Sequence, residues 1–443
     1  MTTFTDRYGY ELTTGSAATA DAFVHAIDAI LAYNSGAEDA LREALRHDPA
    51  FALAHITLAR QLQVTGNIPE ATREKEAALT AASSATRREQ QHVAAIVRAM
   101  DGDGSGATEF AREHLAEYPR DAYLLLQVSG PFGLIAFNGS PDWRAETFAI
   151  IDPLAKSYGD DWWFLNTHAF VHNELNHFEV ARTLAQRSLD LFVRQGSGAH
   201  TMSHVLFEAG DASGGDAFLA GWLPGYERNA TIYSHLAWHH ALFLLKEGRA
   251  AGALAIYAKD LAPDVYPGSA VISIADAASF MWRCDLYGVD RPEASRAELR
   301  DFAAKTFPKP GITFADLHCA LAYAAAGDGE SLEHLVGGLR QREAEGKQPA
   351  GPIVAATAEA IRRFANRDYA GAVDALYPVR EMVVRIGGSN AQREVFEDTL
   401  LEACMRAGRF EQAEPVLRER LERRPSASDQ TMLGRVVAAA TPK

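Results

Sequence analysis

Cysteines and long apolar runs are scarce in this 443-residue chain, and their scarcity excludes several kinds of protein. The three cysteines, Cys284, Cys319 and Cys404, lie far apart and outside any Cys-x-x-Cys pair. This spacing argues against a disulfide framework and against a thiolate zinc site. No run of about 18 apolar residues could span a membrane, and the polar N-terminus does not resemble a secretory signal. We therefore expect a soluble cytoplasmic protein with reduced cysteines and no membrane partner.

The chain also has no excess of basic residues. It contains 43 Lys and Arg against 58 Asp and Glu, a formal net charge of -15. Because phosphate backbones are held largely by Lys and Arg, nucleic acid is not an expected partner. The sequence contains no Walker loop, dinucleotide fingerprint, Gly-x-Ser-x-Gly elbow or His-Glu-x-x-His motif. It therefore predicts no nucleotide cofactor, and the commonest hydrolase and metalloprotease sites are excluded.

What the sequence does contain is helical periodicity, in pairs of segments separated by short turns. After Asp48, the apolar residues Ala52, Ile56 and Ala59 fall on one helix face, and the pattern breaks at Gly66-Asn67 before it resumes. The same plan recurs along the chain, with turns predicted at residues 176–177, 247–249, 327–328, 366–368 and 408–409. A single pair cannot bury its apolar stripe, so neighbouring pairs must stack into a superhelix.

Strand patterns are nearly absent, so the predicted fold is all-α. The last three turns are about 40 residues apart, whereas the standard tetratricopeptide repeat (TPR) has about 34 residues. The sequence therefore predicts a tightly wound α-solenoid of degenerate TPR-like helix pairs. We expect a single domain over residues 1–443, with residues 1–20 as an irregular N-terminal segment. Stretches 196–215, 263–269, 308–311 and 345–352 are predicted to be loops between the units.

Two His-x-x-x-His pairs carry the strongest chemical signal. His200 and His204 form the first pair, and His235 and His239 form the second. This spacing puts both rings of a pair on one helix face. Three interpretations stay open: a divalent metal held by the four rings, a polar ligand pocket with proton transfer, or rings that fill repeat positions usually taken by Tyr, Phe or Leu. If the first two hold, the pairs must meet in space.

Two further segments add polar candidates. Asp276, Ser279 and Arg283 form one helical stripe, on which Arg283 could bind a carboxylate or phosphate or form an ion pair with a neighbour. In the segment Gly387–Phe396, a capping box explains Ser389 and Gln392 but leaves Asn390 and Arg393 without a structural reason. Thr86 with Glu89, and Thr313 with Asp316, are predicted caps of the same kind, which leaves His318 as a further pocket candidate.

Several of these motifs occur in an order that resembles the tetratricopeptide repeat protein 38 family. They are RREQQHV at 87–93, the two His pairs, DAASFMWR at 276–283, FADLH at 314–318 and GGSNAQREVF at 387–396. The resemblance spans nearly the whole chain and implies a helical repeat fold whose members mostly lack an assigned activity. The chain departs from the family pattern after the first His pair, where Glu208 follows one turn beyond His204.

The unusual polar residues do not recur from unit to unit, as the contact residues of a peptide-binding groove would. The sequence therefore favours a small-molecule pocket over a peptide groove, with a homo-oligomer compatible with either. The expected ligand is a small polar, anionic metabolite, and if the superhelix closes, the unusual polar residues should line one partly buried cavity. Predicted catalytic residues are His204, His239 and Asp276, and predicted binding residues are His200, His235, Arg283, His318, Asn390 and Arg393. The alternative is a TPR-type protein-interaction scaffold without catalysis.

Overall fold

The computed structural model describes residues 3–265 and 268–440. Tyr266 and Pro267 of the predicted loop 263–269, and residues 1, 2 and 441–443 of the predicted domain, lie outside the described residues. The chain starts with a small antiparallel hairpin, in which β1 (Phe4–Thr5) pairs with β2 (Glu11–Leu12). The first helix then begins after Ser16, whose side chain accepts a hydrogen bond from the amide of Thr19.

The rest of the described chain consists of helices joined by short turns. The first eleven α-helices are α1 (Ala17–Ala32), α2 (Ala37–His47), α3 (Ala52–Val64), α4 (Ile68–Ala82), α5 (Arg87–Met100), α6 (Gly104–Glu117), α7 (Ala122–Val128), α8 (Trp143–Ile151), α9 (Ala155–Tyr158), α10 (Trp162–Glu174) and α11 (Phe178–Leu191). They are followed by α12 (Gly196–Glu208), α13 (Ala212–Trp222), α14 (Tyr233–Lys246), α15 (Ala250–Ile256), α16 (Ala270–Leu286), α17 (Glu293–Thr306), α18 (Thr313–Ala326), α19 (Gly329–Ala344), α20 (Ile353–Ala365), α21 (Tyr369–Leu376), α22 (Asn390–Ala407), α23 (Phe410–Arg423) and α24 (Ala427–Ala440). Short 3-10 segments cover Asp152–Leu154, Leu223–Gly225 and Tyr377–Ile386, and a π-helical turn covers Tyr257–Leu261.

The helices pack as consecutive pairs, and all six predicted turns separate the two members of a pair. Examples are α3 with α4, α10 with α11 and α22 with α23. Gly327 and Gly408 end their helices in the left-handed conformation, at φ of 71° and 67°. Glycine adopts this conformation at little cost, which explains why the chain turns there. The predicted fold class, an all-α solenoid of TPR-like helix pairs, is confirmed.

The alternate helices α10, α12, α14, α16, α18, α20 and α22 contact one another in series and form an inner layer. The layer bends round until α16 also touches α22. All 13 residues of α12 are buried, so this helix contacts protein on every side. The chain is therefore wound tightly enough to enclose its inner helices, whereas open solenoids expose a concave surface.

Long-range hydrogen bonds hold this closure together. The amide of Gly388 donates to the carbonyl of Pro131 at 3.0 Å. The indole of Trp143 donates to the carbonyl of Val384 at 2.9 Å, and the guanidinium of Arg385 bonds the carbonyl of Gly139 at 2.6 Å. The segment before α22 is thus attached to the segment around α8, which lies more than half the chain away.

Two local predictions were wrong. The stretch 196–215 forms α12 and the start of α13, with a turn only at 209–211, and its glycines allow close helix contact: a Cβ on Gly215 would lie 2.4 Å from the ring of Phe243. Thr313 does not cap α18, since its hydroxyl donates to Gln348 while the carboxylate of Asp316 accepts from the amide of Gly311. The predicted capping boxes at Thr86 and Ser389 are confirmed.

Within the described residues, no helix is both long and apolar enough to cross a membrane.

Candidate functional site

The two predicted His pairs meet at the centre of the inner layer. α12 carries His200 and His204, α14 carries His235 and His239, and one ring nitrogen from each lies within 4.8 Å of the other three. The Nε2 atom of His200 is 2.9 Å from Nε2 of His204 and 3.2 Å from Nε2 of His235. We call these four residues the four-His cluster. The predicted approach of the two pairs is confirmed.

The environment of the cluster favours the uncharged form of three of its rings, those of His200, His204 and His239. Burial, together with the neighbouring rings, holds the pKa of His200 and that of His239 well below the usual value for histidine. Burial also lowers the pKa of His204, with further contributions from His235 and Arg393. Neutral imidazole is the form that binds metals and accepts protons, because it has a free lone pair.

Several polar atoms of the cluster lack hydrogen-bond partners among the described residues. They are Nδ1 of His204 and both ring nitrogens of His239, which is fully buried. A buried donor or acceptor without a partner costs about 1–3 kcal/mol. At these three atoms the described residues leave the hydrogen bonding of the core incomplete.

Asp276, on α16, bonds one ring of the cluster. Its carboxylate oxygens lie 2.8 and 3.0 Å from Nδ1 of His235, and both side chains are buried. A carboxylate at Nδ1 fixes the proton there and turns the lone pair of Nε2 towards the other rings. The predicted role of Asp276 in orienting a histidine therefore has a geometric basis at His235.

A cavity of about 280 Å³ adjoins the cluster and is lined by His200 and His235. Its other walls are mostly apolar and come from the N-terminal and central parts of the chain, including Ile30, Tyr33, Phe132, Phe170, Val171 and Ile272. Polar groups are interspersed, among them the side chains of Arg60, Gln61, Gln127, Asn166 and Thr201. We call this space the large cavity.

The remaining predicted site residues lie nearby but do not line the large cavity. Asn390 and Arg393 line a separate cavity of about 130 Å³, together with Arg144, Arg380 and Arg423. Neither cavity is lined by Arg283 or His318. The expectation of one cavity shared by all these groups was wrong, because the closure of the superhelix places α22 against α8, α10 and α16 as a wall rather than across an open space.

Arg393 on α22 and Arg283 on α16 both bond acceptors of the protein itself. Arg393 bonds the carbonyls of Gly387 and Gly388, the carboxylate of Glu174 at 3.3 Å and the amide oxygen of Asn390 at 2.6 Å. Arg283 donates to the carbonyl of Ala391 at 2.8 Å and lies 3.5 Å from Asp398. His318, held at Nδ1 by the carbonyl of Phe314, keeps a buried Nε2 without a partner among the described residues.

Sequence reasoning assigned no site role to two buried carboxylates of this region. Glu174, at the end of α10, binds both Arg393 and the amide of Asn390, and no local motif points to it. Glu208 continues the stripe of His200 and His204 by one more turn, so its spacing was a usable signal. Burial raises the pKa of Glu208 although Arg424 and Arg423 lie within 4 Å of its carboxylate.

No family model matches the chain. Among solved structures, human IFIT1, a dimer with m7Gppp-AAAA, is 13% identical, with 99% of this chain and 98% of that chain covered and a TM-score of 0.45. Yeast Tom70 is 11% identical, with 94% and 87% covered and a TM-score of 0.37. The TPR domain of P58(IPK) is 13% identical, with 88% and 89% covered and a TM-score of 0.21. At these identities the likeness concerns the fold alone.

Proposed function

We propose that this protein binds a divalent transition-metal ion through the four-His cluster and a small organic molecule in the large cavity beside it. The observation that carries the proposal is the convergence of four buried histidines, three with lowered pKa, on one point. Imidazole suits zinc, copper, iron and nickel. Of these, zinc fits a set of four nitrogen ligands without any demand on redox state.

The distances within the cluster support a metal site. Ligands bound at about 2.0–2.1 Å around a tetrahedral ion lie roughly 3.3 Å from one another. The separations of 2.9 and 3.2 Å from Nε2 of His200 are close to that value. Asp276 adds the carboxylate at the far nitrogen that metal-bound histidines usually have. His239 offers one ring nitrogen to the same set, and neither of its nitrogens has a hydrogen-bond partner among the described residues.

The large cavity supports an organic ligand with an apolar body and one anionic group. Most of its wall is apolar, and two of the polar residues that line it, His200 and His235, belong to the four-His cluster. A divalent ion supplies Lewis-acid character and positive charge when bound. An anionic group would thus be attracted to the cluster, and it would not need Arg283 or Arg393, which bond protein acceptors.

Acid–base catalysis is a further part of this proposal that depends on the metal content. Without a metal, the neutral rings of His204 and His239 could accept a proton, with Asp276 orienting His235. Binding roles for Arg283, His318, Asn390 and Arg393 stay predictions. The alternative function, a TPR-type interaction scaffold without chemistry, is favoured by the fold alone, since such repeats commonly present extended binding surfaces.

Zinc titration of the purified protein tests the proposal. Calorimetry should show a tight site in the metal-free protein that is lost in His204→Ala/His239→Ala. The matched control is His47→Ala/His334→Ala, which removes two exposed rings and should leave that site unchanged. Circular dichroism of both double variants checks that the helices are kept. A folded His204→Ala/His239→Ala protein that still binds zinc like the wild type would refute the metal proposal and leave the scaffold alternative.

A further inference from the structure

A second group of metal-ligand side chains lies on the outer part of α10, away from the four-His cluster. His168 and His172 are one turn apart on α10, and Asp152 starts the 3-10 segment after α8. One ligand atom from each of these three side chains lies within 4.8 Å of the other two. From the residues placed together here we propose a second divalent transition-metal site, formed by Asp152, His168 and His172.

The ligand atoms lie close to one another. Nε2 of His168 is 3.1 Å from Oδ1 of Asp152 and 3.1 Å from Nε2 of His172. Both separations are near the roughly 3.3 Å expected between ligands of a tetrahedral zinc ion. Two histidines one helical turn apart plus one carboxylate also form a familiar ligand set for catalytic zinc. The geometry therefore needs little adjustment to hold an ion.

A fourth residue, His177, orients the ring of His172. Nδ1 of His177 lies 3.1 Å from Nδ1 of His172, on the side away from His168. A proton on Nδ1 of His172, donated to His177, leaves Nε2 of His172 with its lone pair directed at the site. The ring of Phe148 contacts this group from α8, with its centroid 5.2 Å from that of His172. His177 is thus a positioning residue and not a ligand in this proposal.

Solvent exposure separates this site from the four-His cluster. The side chain of Asp152 is 47% exposed, so an ion reaches the site from solvent. Three protein ligands leave a fourth position to a water molecule or another small ligand, as in catalytic zinc sites. The inference does not depend on the function proposed for the four-His cluster.

Zinc titration separates the two sites. The metal-free wild-type protein should bind two equivalents, and His172→Ala should bind one, with at least about a tenfold loss of affinity at the second site. Asp152→Asn, a change at a half-exposed side chain, should weaken the same site without disturbing the fold. His25→Ala removes an exposed ring far from other histidines in sequence and serves as the matched control.

The outcomes distinguish this inference from the proposed function. In His204→Ala/His239→Ala, one equivalent should remain and should disappear when His172→Ala is added. Circular dichroism melting of each variant shows whether it is folded, and Asp152→Asn provides the test if His172→Ala is not. Unchanged zinc stoichiometry and affinity in the folded His172→Ala or Asp152→Asn protein would overturn the second site, whatever the four-His cluster does.

Discussion

Two buried histidine groups in this protein differ in how many carboxylate contacts their rings receive. Near the N-terminus, Asp121 bonds His92 at 2.9 Å, His114 at 3.0 Å and Arg88 at 3.1 Å. In the part of the chain that the structure describes, the four-His cluster receives one carboxylate, that of Asp276, at one of its four rings. The first group is a carboxylate surrounded by donors, whereas the second is a set of rings facing one another.

This difference separates a structural network from a candidate ligand site. Although burial alone would raise it, His92, His114 and Arg88 hold the pKa of Asp121 well below its usual value. The charges of that network are paired within the protein, although Nε2 of His92 has no hydrogen-bond partner among the described residues, so the network stabilises the junction of α5, α6 and α7. The four-His cluster gathers lone pairs and leaves nitrogens of His204 and His239 without partners among the described residues. Such a set gains most from a cation.

The largest effect that tests this comparison is the removal of the carboxylate at Asp121. Asp121→Asn should lower the free energy of unfolding by about 3–5 kcal/mol, because it leaves Arg88 with a broken buried ion pair. Zinc binding by the remaining folded protein should not change. Urea unfolding measures the loss. The control is Asp211→Asn, since Asp211 caps α13 and Asn caps about as well, with a change expected within about 0.5 kcal/mol.

Asp276→Asn should have an intermediate effect of a different kind. An amide can still contact Nδ1 of His235 but no longer carries the charge that strengthens the ring as a ligand. We expect about a 10–100-fold loss of zinc affinity at the four-His cluster. The loss should be absent at the surface site of Asp152, His168 and His172. Competition with a zinc chelator measures it, and unaltered affinity would show that Asp276 has no orienting role.

The smallest expected effect is a difference in pH dependence between the wild-type protein and His239→Leu, both without metal. A buried ring whose pKa is lowered takes up its proton only on unfolding. Below about pH 6.5 the unfolded chain therefore binds a proton that the folded protein does not, and the free energy of unfolding falls as the pH drops. Above about pH 6.5 neither state binds this proton, and the loss is absent. The wild type should therefore lose roughly 1 kcal/mol more per pH unit than His239→Leu below about pH 6.5.

This comparison of two proteins cancels groups with the opposite dependence. Burial raises the pKa of Asp316 to about 7, so that group contributes stability at low pH that is lost as the pH rises through about 7. Asp316 is present in both proteins, and its contribution drops out of the difference. Parallel stability profiles between pH 7.5 and 5.5, from urea unfolding, would show that His239 is not held neutral by its surroundings.

Local pattern explains which features were predictable from the sequence. The helix pairs, their turns and the two capping boxes depend on residues within a few positions of each other. The meeting of the His pairs followed from their i, i+4 spacing and from the packing of consecutive pairs. The same spacing at His168 and His172 was a signal of equal strength for the second group. It does not select Asp152, the third member.

The individual contacts that close the superhelix could not be predicted, because they join segments that are distant in sequence. The pair of Arg393 with Glu174 joins residues 219 positions apart, and no local pattern selects that partner. The expectation of a single cavity failed for the same reason. That expectation assumed that polar groups without a local role face open space. Arg393 and Asn390 instead bond each other, and the amide of Asn390 donates to Glu174 at the end of α10.

The central claim is that the four-His cluster holds a metal ion, and anomalous diffraction from crystals soaked in zinc tests it most directly. Data collected above and below the zinc absorption edge locate the ion without reference to ligand geometry. We predict an anomalous peak bonded to ring nitrogens of His200, His204, His235 and His239, at about 2.0–2.1 Å from each. A map with zinc at Asp152, His168 and His172 but none within bonding distance of the four-His cluster would contradict the claim.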